Sequence, residues 1–240
     1  MVDRMRIQLI DAVRGLCVLL MILHHLMWDL VYFLDAPRWL FYGMPVRLLH
    51  YIFAGLFVLI SGLSCRLSRS NLRRGALLAL VAGGLTAVSA AVGFPIRFGV
   101  LHMLAASMLL YGAAGRLWRR IPENRMLFVC AALFCFSLLA VQLIPVPADS
   151  ALAVVLWPFG FNPELIFSAD YFPLFPWIFV FLGGTWFGGL VQSGRLPRWF
   201  YAVSVPVLPA VGRHALLIYV LHQPVLFALV WGIRRLLYRA

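Results

Sequence analysis

Long apolar stretches alternate with short polar segments along the whole chain. A helix needs about 20 consecutive apolar residues to cross the hydrocarbon core of a bilayer. The pattern predicts about seven such spans, at residues 10–33, 48–65, 75–94, 98–116, 126–145, 172–192 and 213–233. Residues 197–212 are ambiguous, and a crossing there would make the count about eight. The pattern therefore predicts an all-α fold, a polytopic integral membrane helical bundle.

A further apolar segment lies between the fifth and sixth predicted spans. It reads SALAVVLWPFGFNPELIFSAD, and Pro158 and Pro163 interrupt it. Proline inside a helix removes a backbone hydrogen bond and clashes with the preceding turn, so we expect a short surface or re-entrant segment here rather than a full span. No linker or shift in composition divides the chain, and a single domain over residues 1–240 is expected.

Composition agrees with the membrane class and changes how the charge is interpreted. The chain is 64% hydrophobic and 12% charged, whereas ordinary soluble domains carry about 25% charged residues. A net charge of +12 would favour nucleic acid in a soluble protein, but the basic residues, all of them arginine, lie mostly in short loops. We therefore expect a lipid bilayer around the protein and no nucleic-acid partner.

The distribution of arginine predicts an orientation, because cytoplasmic loops of membrane proteins carry an excess of basic residues. Arg4 and Arg6 precede the first span, and further arginines occupy the loops 66–74 and 116–125. The loop 145–171 contains no arginine and carries acidic residues. The N-terminus is therefore expected in the cytoplasm, whereas the basic C-terminus leaves its own side open.

The first predicted span is unusual because ionisable residues occur along its whole length. They are Asp11, Arg14, His24, His25 and Asp29. A charged side chain at the centre of a bilayer costs at least about 2.5–3.5 kcal/mol, which makes function the default interpretation of such residues. At 1.5 Å per residue, Arg14 and His25 are about 16 Å apart along the helix axis. Asp11 and Arg14 share one face of the helix, and so do His25 and Asp29.

Each of these two pairs has a chemical and a structural interpretation. A carboxylate beside an imidazole fixes its tautomer and stabilises the imidazolium, so His25 with Asp29 is predicted to be a general base with its orienting partner. The alternative is a buried pair that holds helices together. Asp11 and Arg14 either form the mouth of a binding site or a structural ion pair. His24 points about 100° away from His25 and is expected to pack.

Two further histidines within predicted spans are candidate catalytic residues. His102 lies near the outer end of the fourth span, and His222 lies in the middle of the seventh, followed by Gln223 and Pro224. Together with His25 they suggest a shared polar chamber. No metal site is predicted, because neither an HxxxH motif nor a carboxylate-rich set accompanies these histidines.

These residues occur in motifs that resemble a known family. DAVRG followed by LLMILHHLMWDL is similar to the first-helix pattern of small bacterial members of the heparan-alpha-glucosaminide N-acetyltransferase catalytic-domain family, which is Asp-x-x-Arg-Gly and then His-x-x-x-Asp. The likeness continues in IRFGVLHMLAASMLL (96–110), DYFPLFPWIFVFLGG (170–184) and GRHALLIYVLHQPVLF (212–227). It spans nearly the whole chain, and related transmembrane acyltransferases share the Arg-Gly then His arrangement.

The resemblance implies a membrane acetyltransferase. Such an enzyme moves an acetyl group from cytoplasmic acetyl-CoA to an amino or hydroxyl group of a sugar or glycan on the far side of the bacterial cytoplasmic membrane. By position, His25 takes the place of the family's first-helix histidine and Asp29 that of its downstream acid, while Asp11 and Arg14 form the mouth motif. The sequence departs from the pattern by having His24 as well, and the spacing to Asp29 favours His25.

The arginine residues of the sequence suit acetyl-CoA as the donor. CoA carries phosphates on a long arm that ends in a thioester, and guanidinium groups bind phosphate well. Arg14 is therefore a candidate phosphate-binding residue together with Arg66, Arg69, Arg73 and Arg74. A base deeper in the membrane suits deprotonation of the acceptor, either for direct transfer or by way of an acyl-histidine.

Two other functions compete with acyl transfer. Intramembrane aspartate and histidine also build proton relays, so a proton-coupled transporter or flippase is one alternative, although no pair of related halves is visible. A non-catalytic assembly protein, whose polar residues only join helices, is the other. It would leave the spacing between Arg14 and His25 without a purpose.

Overall fold

The structure, a computed structural model, describes residues 7–237. Within that range every regular element is helical and no strand occurs. The helices are α1 (Gln8–Phe33), α2 (Trp39–Tyr42), α3 (Met44–Leu67), α4 (Asn71–Ala91), α5 (Val100–Trp118), α6 (Glu123–Leu143), α7 (Ala151–Leu156), α8 (Trp177–Gln192), α9 (Arg198–Ala202), α10 (Leu208–Arg213) and α11 (Ala215–Leu237). Arg4 and Arg6, on which the predicted orientation partly depends, lie outside the described residues.

Of the helices within residues 7–237, six are long and apolar enough to cross a membrane, namely α1, α3, α4, α5, α6 and α11. The protein is therefore a polytopic helical membrane protein, as predicted. The helix in the predicted span 172–192 is α8, and its 16 residues extend about 24 Å, which is less than a hydrocarbon core of about 30 Å. Fewer helices thus meet the length criterion than predicted, and a count of about seven or eight crossings stays a prediction.

The two ambiguous segments contain only short helices. The segment at residues 197–212 contains α9 and most of α10, which have 5 and 6 residues; Pro197 precedes α9, Pro206 lies between the two helices, and Pro209 is in the first turn of α10. Neither helix is long enough to be an additional span. Between α6 and α8, the 6-residue α7 is followed by 3-10 turns at Trp157–Phe159 and Pro163–Leu165. The prediction that this segment is not a full span is confirmed.

The chain divides into two compact units. The first unit contains residues 1–57 and 196–240, and the second contains residues 58–195. Helix α3 begins in the first unit and ends in the second. The expected single domain over residues 1–240 stays a prediction.

In the first unit, α1 packs against α10 and α11. Glycine permits the crossing of α1 and α10, since a Cβ atom at Gly15 would meet the carbonyl oxygen of Leu208, and one at Gly212 would meet that of Asp11. Small residues allow helix backbones to approach closely within a membrane. The glycine of the DAVRG stretch and the glycine that opens the 212–227 stretch therefore have one shared packing role.

In the second unit, α5 packs against α4 and α8 packs against α6. The end of α3 crosses α8 at a close glycine contact of the same kind as the contact between α1 and α10. A Cβ atom at Gly62 would meet the carbonyl oxygen of Phe181, and one at Gly184 would meet that of Leu59. Close helix contacts thus form this unit's core, in which Phe181 is fully buried.

The segment that leads into α8 is fixed to the start of α5 by backbone hydrogen bonds. The amide of Phe172 donates to the carbonyl of Phe98 at 2.8 Å. Tyr171 stacks on Trp157 with ring centroids 4.7 Å apart, and its hydroxyl donates to the Trp157 carbonyl at 2.5 Å. Burial raises the pKa of the Tyr171 hydroxyl to about 12.

Candidate active site

Two imidazoles meet where α1 packs against α11 in the first unit. The Nδ1 atom of His25 lies 3.3 Å from Nε2 of His222, and the ring centroids are 4.8 Å apart. His25 Nδ1 also lies 3.0 Å from the carbonyl oxygen of Met21, one turn earlier on α1. His222 Nδ1 lies 2.5 Å from the carbonyl oxygen of Tyr219 on α11. Two of the three histidines expected in a shared chamber are therefore in contact.

The carbonyl partners decide the tautomers of this pair. A carbonyl oxygen only accepts hydrogen bonds, so Nδ1 of each ring carries its proton when the imidazole is neutral. His222 Nε2 then has a lone pair that accepts from His25 Nδ1. His25 Nε2 has the basic lone pair, and a proton bound there would strengthen the bond from His25 Nδ1 to His222. The arrangement can act as a base with a built-in partner.

Asp29 does not supply that partner. Its carboxylate is fully buried, and Oδ1 accepts a hydrogen bond of 2.9 Å from Nε2 of Gln223 rather than from His25. The predicted direct pairing of His25 with Asp29 is wrong, although the two residues lie on one face of α1. Helix α11 carries His222 and Gln223 at adjacent positions against α1, so Gln223 binds Asp29 in place of His25.

The pair of Asp29 and Gln223 retains unused acceptors. Asp29 Oδ2 and Gln223 Oε1 are buried and have no hydrogen-bond partner among the residues that the structure describes. Both are acceptors, and a buried unpaired acceptor costs about 1–3 kcal/mol. They can therefore accept hydrogen bonds from a donor such as a hydroxyl or amino group. Gln223 has no role in the sequence-based prediction. An amide next to His222 and Pro224 in an apolar helix is the signal that could have indicated one.

His24 belongs to a separate aromatic contact. Its ring stacks on His50 of α3 with centroids 4.3 Å apart, and it lies 4.7 Å from the ring of Phe41. The His24 and His25 rings are 5.9 Å apart and nearly perpendicular. The expectation that His24 packs is in agreement with these contacts.

The other end of α1 carries the predicted ion pair. Nη1 of Arg14 lies 2.7 Å from Oδ1 of Asp11, and the exposed fractions of the two side chains are 19% and 7%. The prediction that these residues pair on one face is confirmed. The guanidinium of Arg14 is thus partly open to its surroundings, and it lies one residue before Gly15, where α10 crosses.

The remaining predicted donor-binding residues lie in the second unit. Arg69, Arg73 and Arg74 are exposed around the turn between α3 and α4. Arg66 is half-buried, its side chain packs against Gly188 of α8, and its Nε atom has no hydrogen-bond partner among residues 7–237. The turn therefore presents a cluster of cationic groups.

His102 also lies in the second unit, and protein groups engage both of its ring nitrogens. Nδ1 accepts from the amide of Gly99 at 3.3 Å, and Nε2 lies 3.0 Å from Oγ1 of Thr86. The Thr86 hydroxyl in turn donates to the carbonyl of Ile96 at 2.5 Å. His102 thus caps the N-terminus of α5 and fixes it to α4. These bonds give it a structural role, and a catalytic role stays a prediction.

No group of three or more His, Cys, Asp or Glu residues that could hold a metal ion occurs within the described range.

Comparison with known protein families identifies the class of this membrane protein. The family described as heparan-alpha-glucosaminide N-acetyltransferase, catalytic, matches residues 6–224. The chain belongs to this family, and membership implies a membrane enzyme of the N-acetyltransferase type. The comparisons with curated proteins and with solved structures gave no match.

Proposed function

We propose that this protein transfers an acetyl group from cytoplasmic acetyl-CoA to an amino or hydroxyl group of a sugar or glycan on the other side of the bacterial cytoplasmic membrane. The observation that carries the proposal is the contact between His25 and His222, 3.3 Å apart within the membrane helices α1 and α11. Family membership supplies the reaction class. The two ends of α1 then serve two steps, donor binding and proton transfer.

Arg14 holds the donor. Its guanidinium is partly exposed, and Asp11 fixes its position at 2.7 Å. A guanidinium forms charge-assisted hydrogen bonds to phosphate, which suits the phosphates of CoA. Acetyl-CoA, when bound, supplies an acetyl carbon that is activated by a sulfur leaving group. Within the second unit, the exposed Arg69, Arg73 and Arg74, with Arg66, form a cationic cluster of the kind that attracts anions.

His25 is the general base. Its Nε2 atom accepts the proton of the acceptor's O–H or N–H group while that oxygen or nitrogen bonds to the acetyl carbon. The same atom returns the proton to the sulfur after the C–S bond breaks, so His25 ends neutral. His222 keeps Nε2 of His25 unprotonated beforehand and shares the positive charge afterwards. General base catalysis of this kind contributes about 10²–10⁴-fold to a rate.

Asp29 and Gln223 position the acceptor. Their buried atoms Oδ2 and Oε1 are acceptors without protein partners among the described residues. A sugar presents hydroxyl and amino hydrogens, which are the groups that these atoms need. Asp29 therefore acts on the acceptor rather than on the tautomer of His25. His102 lies in the second unit, where it contributes to the fold of α5 rather than to this chemistry.

A reconstituted enzyme tests the proposal. Purified protein in vesicles receives acetyl-CoA on one side and an amino sugar on the other, and the measurement is acetylated sugar with release of free CoA. Transfer that needs both reactants supports the proposal. Proton flux or sugar transport without CoA release would instead favour the transporter alternative, and would contradict acetyl transfer.

Donor binding is measured separately on Arg14 variants. Arg14→Gln is expected to weaken acetyl-CoA binding by about ten- to a hundredfold, because a charge-assisted hydrogen bond contributes about 1.5–3 kcal/mol. Arg14→Lys should restore part of the affinity, since an ammonium lacks the planar fork. Arg38→Gln, an exposed arginine at the start of α2, is the matched control. Wild-type donor affinity in folded Arg14→Gln would show that Arg14 is structural.

A labelling experiment tests the proposed orientation, with the N-terminus in the cytoplasm. Single cysteines at Ser70 and Asp149 should react with impermeant reagents from opposite sides of the membrane. Ser70 should react from the cytoplasmic side. Labelling of both positions from one side would contradict the orientation, and with it the side from which the donor enters.

A further inference from the structure

A cavity of about 710 Å³ lies among α5, α6 and α8 in the second unit, and no residue of the proposed reaction lines it. Its wall is mostly apolar. The apolar lining includes Leu110, Val129, Ile178 and Leu182. A long hydrocarbon chain fits such a wall, because all three helices are apolar and the groove runs along α5.

Two hydrogen-bond donors in this cavity have no protein partner. The hydroxyl of Tyr111 and the indole Nε1 of Trp118 are buried, and neither has a hydrogen-bond partner among residues 7–237. Tyr111 is 5% exposed and lines the cavity together with Trp118. The ring of Tyr111 lies 3.3 Å from the position that a Cβ atom would have at Gly115. Gly115 is one turn further along α5, on the side of Trp118. A buried donor without a partner is costly, so both donors indicate a ligand that brings acceptor atoms.

Two arginines complete the same end of the cavity. Arg120 and Arg125 line it, and neither forms an ion pair with a described residue. The nearest acidic residue in sequence, Glu123, is already paired with Arg195 at 2.6 Å. The end of the cavity at the α5–α6 loop is therefore cationic and rich in donors, whereas the rest is apolar.

We propose that this cavity binds an anionic phospholipid of the leaflet that faces the α5–α6 loop. The phosphate lies between Arg120 and Arg125, the headgroup and ester oxygens accept from Tyr111 and Trp118, and an acyl chain follows the apolar wall. Basic pockets between membrane helices bind lipid headgroups in this way. A free phosphate would leave the apolar wall uncovered, and an uncharged lipid would leave the arginines unpaired.

Lipid binding by the purified parent protein tests the class of ligand. Native mass spectrometry in a neutral detergent compares phosphatidylglycerol with phosphatidylcholine of the same acyl chains, and inorganic phosphate is the soluble probe. We expect phosphatidylglycerol to bind about tenfold or more tightly than phosphatidylcholine, from about 1 kcal/mol for each arginine near the surface. Equal binding of both lipids, or equal stabilisation by inorganic phosphate, would overturn the proposal.

Variants test the location. Arg120→Gln and Arg125→Gln should each weaken phosphatidylglycerol binding by about fivefold. Arg116→Gln is the matched control, because Arg116 is exposed on α5 and does not line the cavity. An equal loss in Arg116→Gln would show only a general attraction of anionic lipid to basic loops, and would overturn the assignment to this cavity.

Tyr111→Phe gives an independent readout. Because the hydroxyl has no protein partner, its removal should leave the lipid-free protein as stable as the parent, while phosphatidylglycerol binding falls by about threefold. A variant that is destabilised without lipid, or that binds the lipid as tightly as the parent, would contradict the proposed contact. Acetyl transfer does not enter these measurements, so failure of either proposal leaves the other in place.

Discussion

His25 in the first unit and His102 in the second both lie within membrane helices, and they differ in what their ring nitrogens contact. His102 in the second unit binds Gly99 through Nδ1 and Thr86 through Nε2, so the fold of α4 and α5 uses both positions. His25 in the first unit makes its described hydrogen bonds through Nδ1, to Met21 and His222. The resulting tautomer places the basic lone pair on Nε2.

Position in a membrane helix does not distinguish His25 from His102, because both lie in such helices. What distinguishes the two is the partner set. A carbonyl and a second imidazole lie against Nδ1 of His25, whereas an amide donor and a hydroxyl engage the two nitrogens of His102. Functional and structural histidines should therefore respond oppositely to substitution.

The largest effect is expected at His25. His25→Ala should lower acetyl transfer by about 10²–10⁴-fold, because the general base is lost, while acetyl-CoA binding and expression stay near the parent's. Steady-state transfer together with donor titration gives the measurement. His24→Ala is the matched control on the same helix and should be milder. An inactive His24→Ala beside an active His25→Ala would reverse the assignment.

The second-largest effect is expected at His222, because its proposed role is to orient the base and not to accept the proton from the acceptor. His222→Ala is expected to lower kcat by about 10- to 100-fold and to change the pH profile of kcat, because His25 loses the partner that stabilises its imidazolium. His222→Gln, which offers an acceptor oxygen, should recover part of the activity. A parental pH profile in His222→Ala would mean that the contact only joins α1 to α11.

The glycine crossing of the first unit should affect stability. Gly212→Ala is expected to destabilise the protein by about 1–3 kcal/mol, since its Cβ atom would meet the Asp11 carbonyl where α10 crosses α1. Gly84→Ala in α4 is the control, because nothing lies within 4 Å of its Cβ position. Thermal unfolding in detergent compares the two. Equal unfolding temperatures would contradict the close approach of α1 and α10.

His102 should behave as a structural residue. His102→Ala is expected to cost about 1–2 kcal/mol in stability through the lost contacts to Gly99 and Thr86. The activity of the remaining folded enzyme should stay near that of the parent. His214→Ala, at an exposed position before α11, should change neither property. A His102→Ala protein that is stable but inactive would give this histidine the catalytic role that its sequence motif suggests.

The smallest effect is expected at Tyr171, outside the membrane helices. Its pKa is raised from 10.0 to about 12 by burial, so the folded protein favours the neutral hydroxyl. The resulting stabilisation is complete below about pH 10 and is lost as the pH rises toward 12. Tyr171→Phe should therefore show a shallower decline in thermal stability over this interval. Parallel declines would show that the hydroxyl does not link folding to pH.

Contacts within α1 are the part of the candidate site that the sequence can predict, because helix geometry is local. A spacing of three residues places Asp11 and Arg14 together, and the structure has that ion pair. A spacing of four places His25 and Asp29 on one face as well, yet Asp29 binds Gln223 instead. Facing the same side is necessary for contact but does not choose among partners, and α11 brings a competing amide that no spacing rule on α1 includes.

By itself, the sequence determined the membrane class, the helical fold and the set of polar residues, because hydropathy and the 3.6-residue period depend only on neighbours along the chain. The tertiary structure decided which polar groups meet. The rotation and position of α11 against α1 pair His222 with His25, and the packing of α5 against α4 occupies His102. The contact between His25 and His222 joins residues 197 positions apart, and only the folded chain fixes their distance.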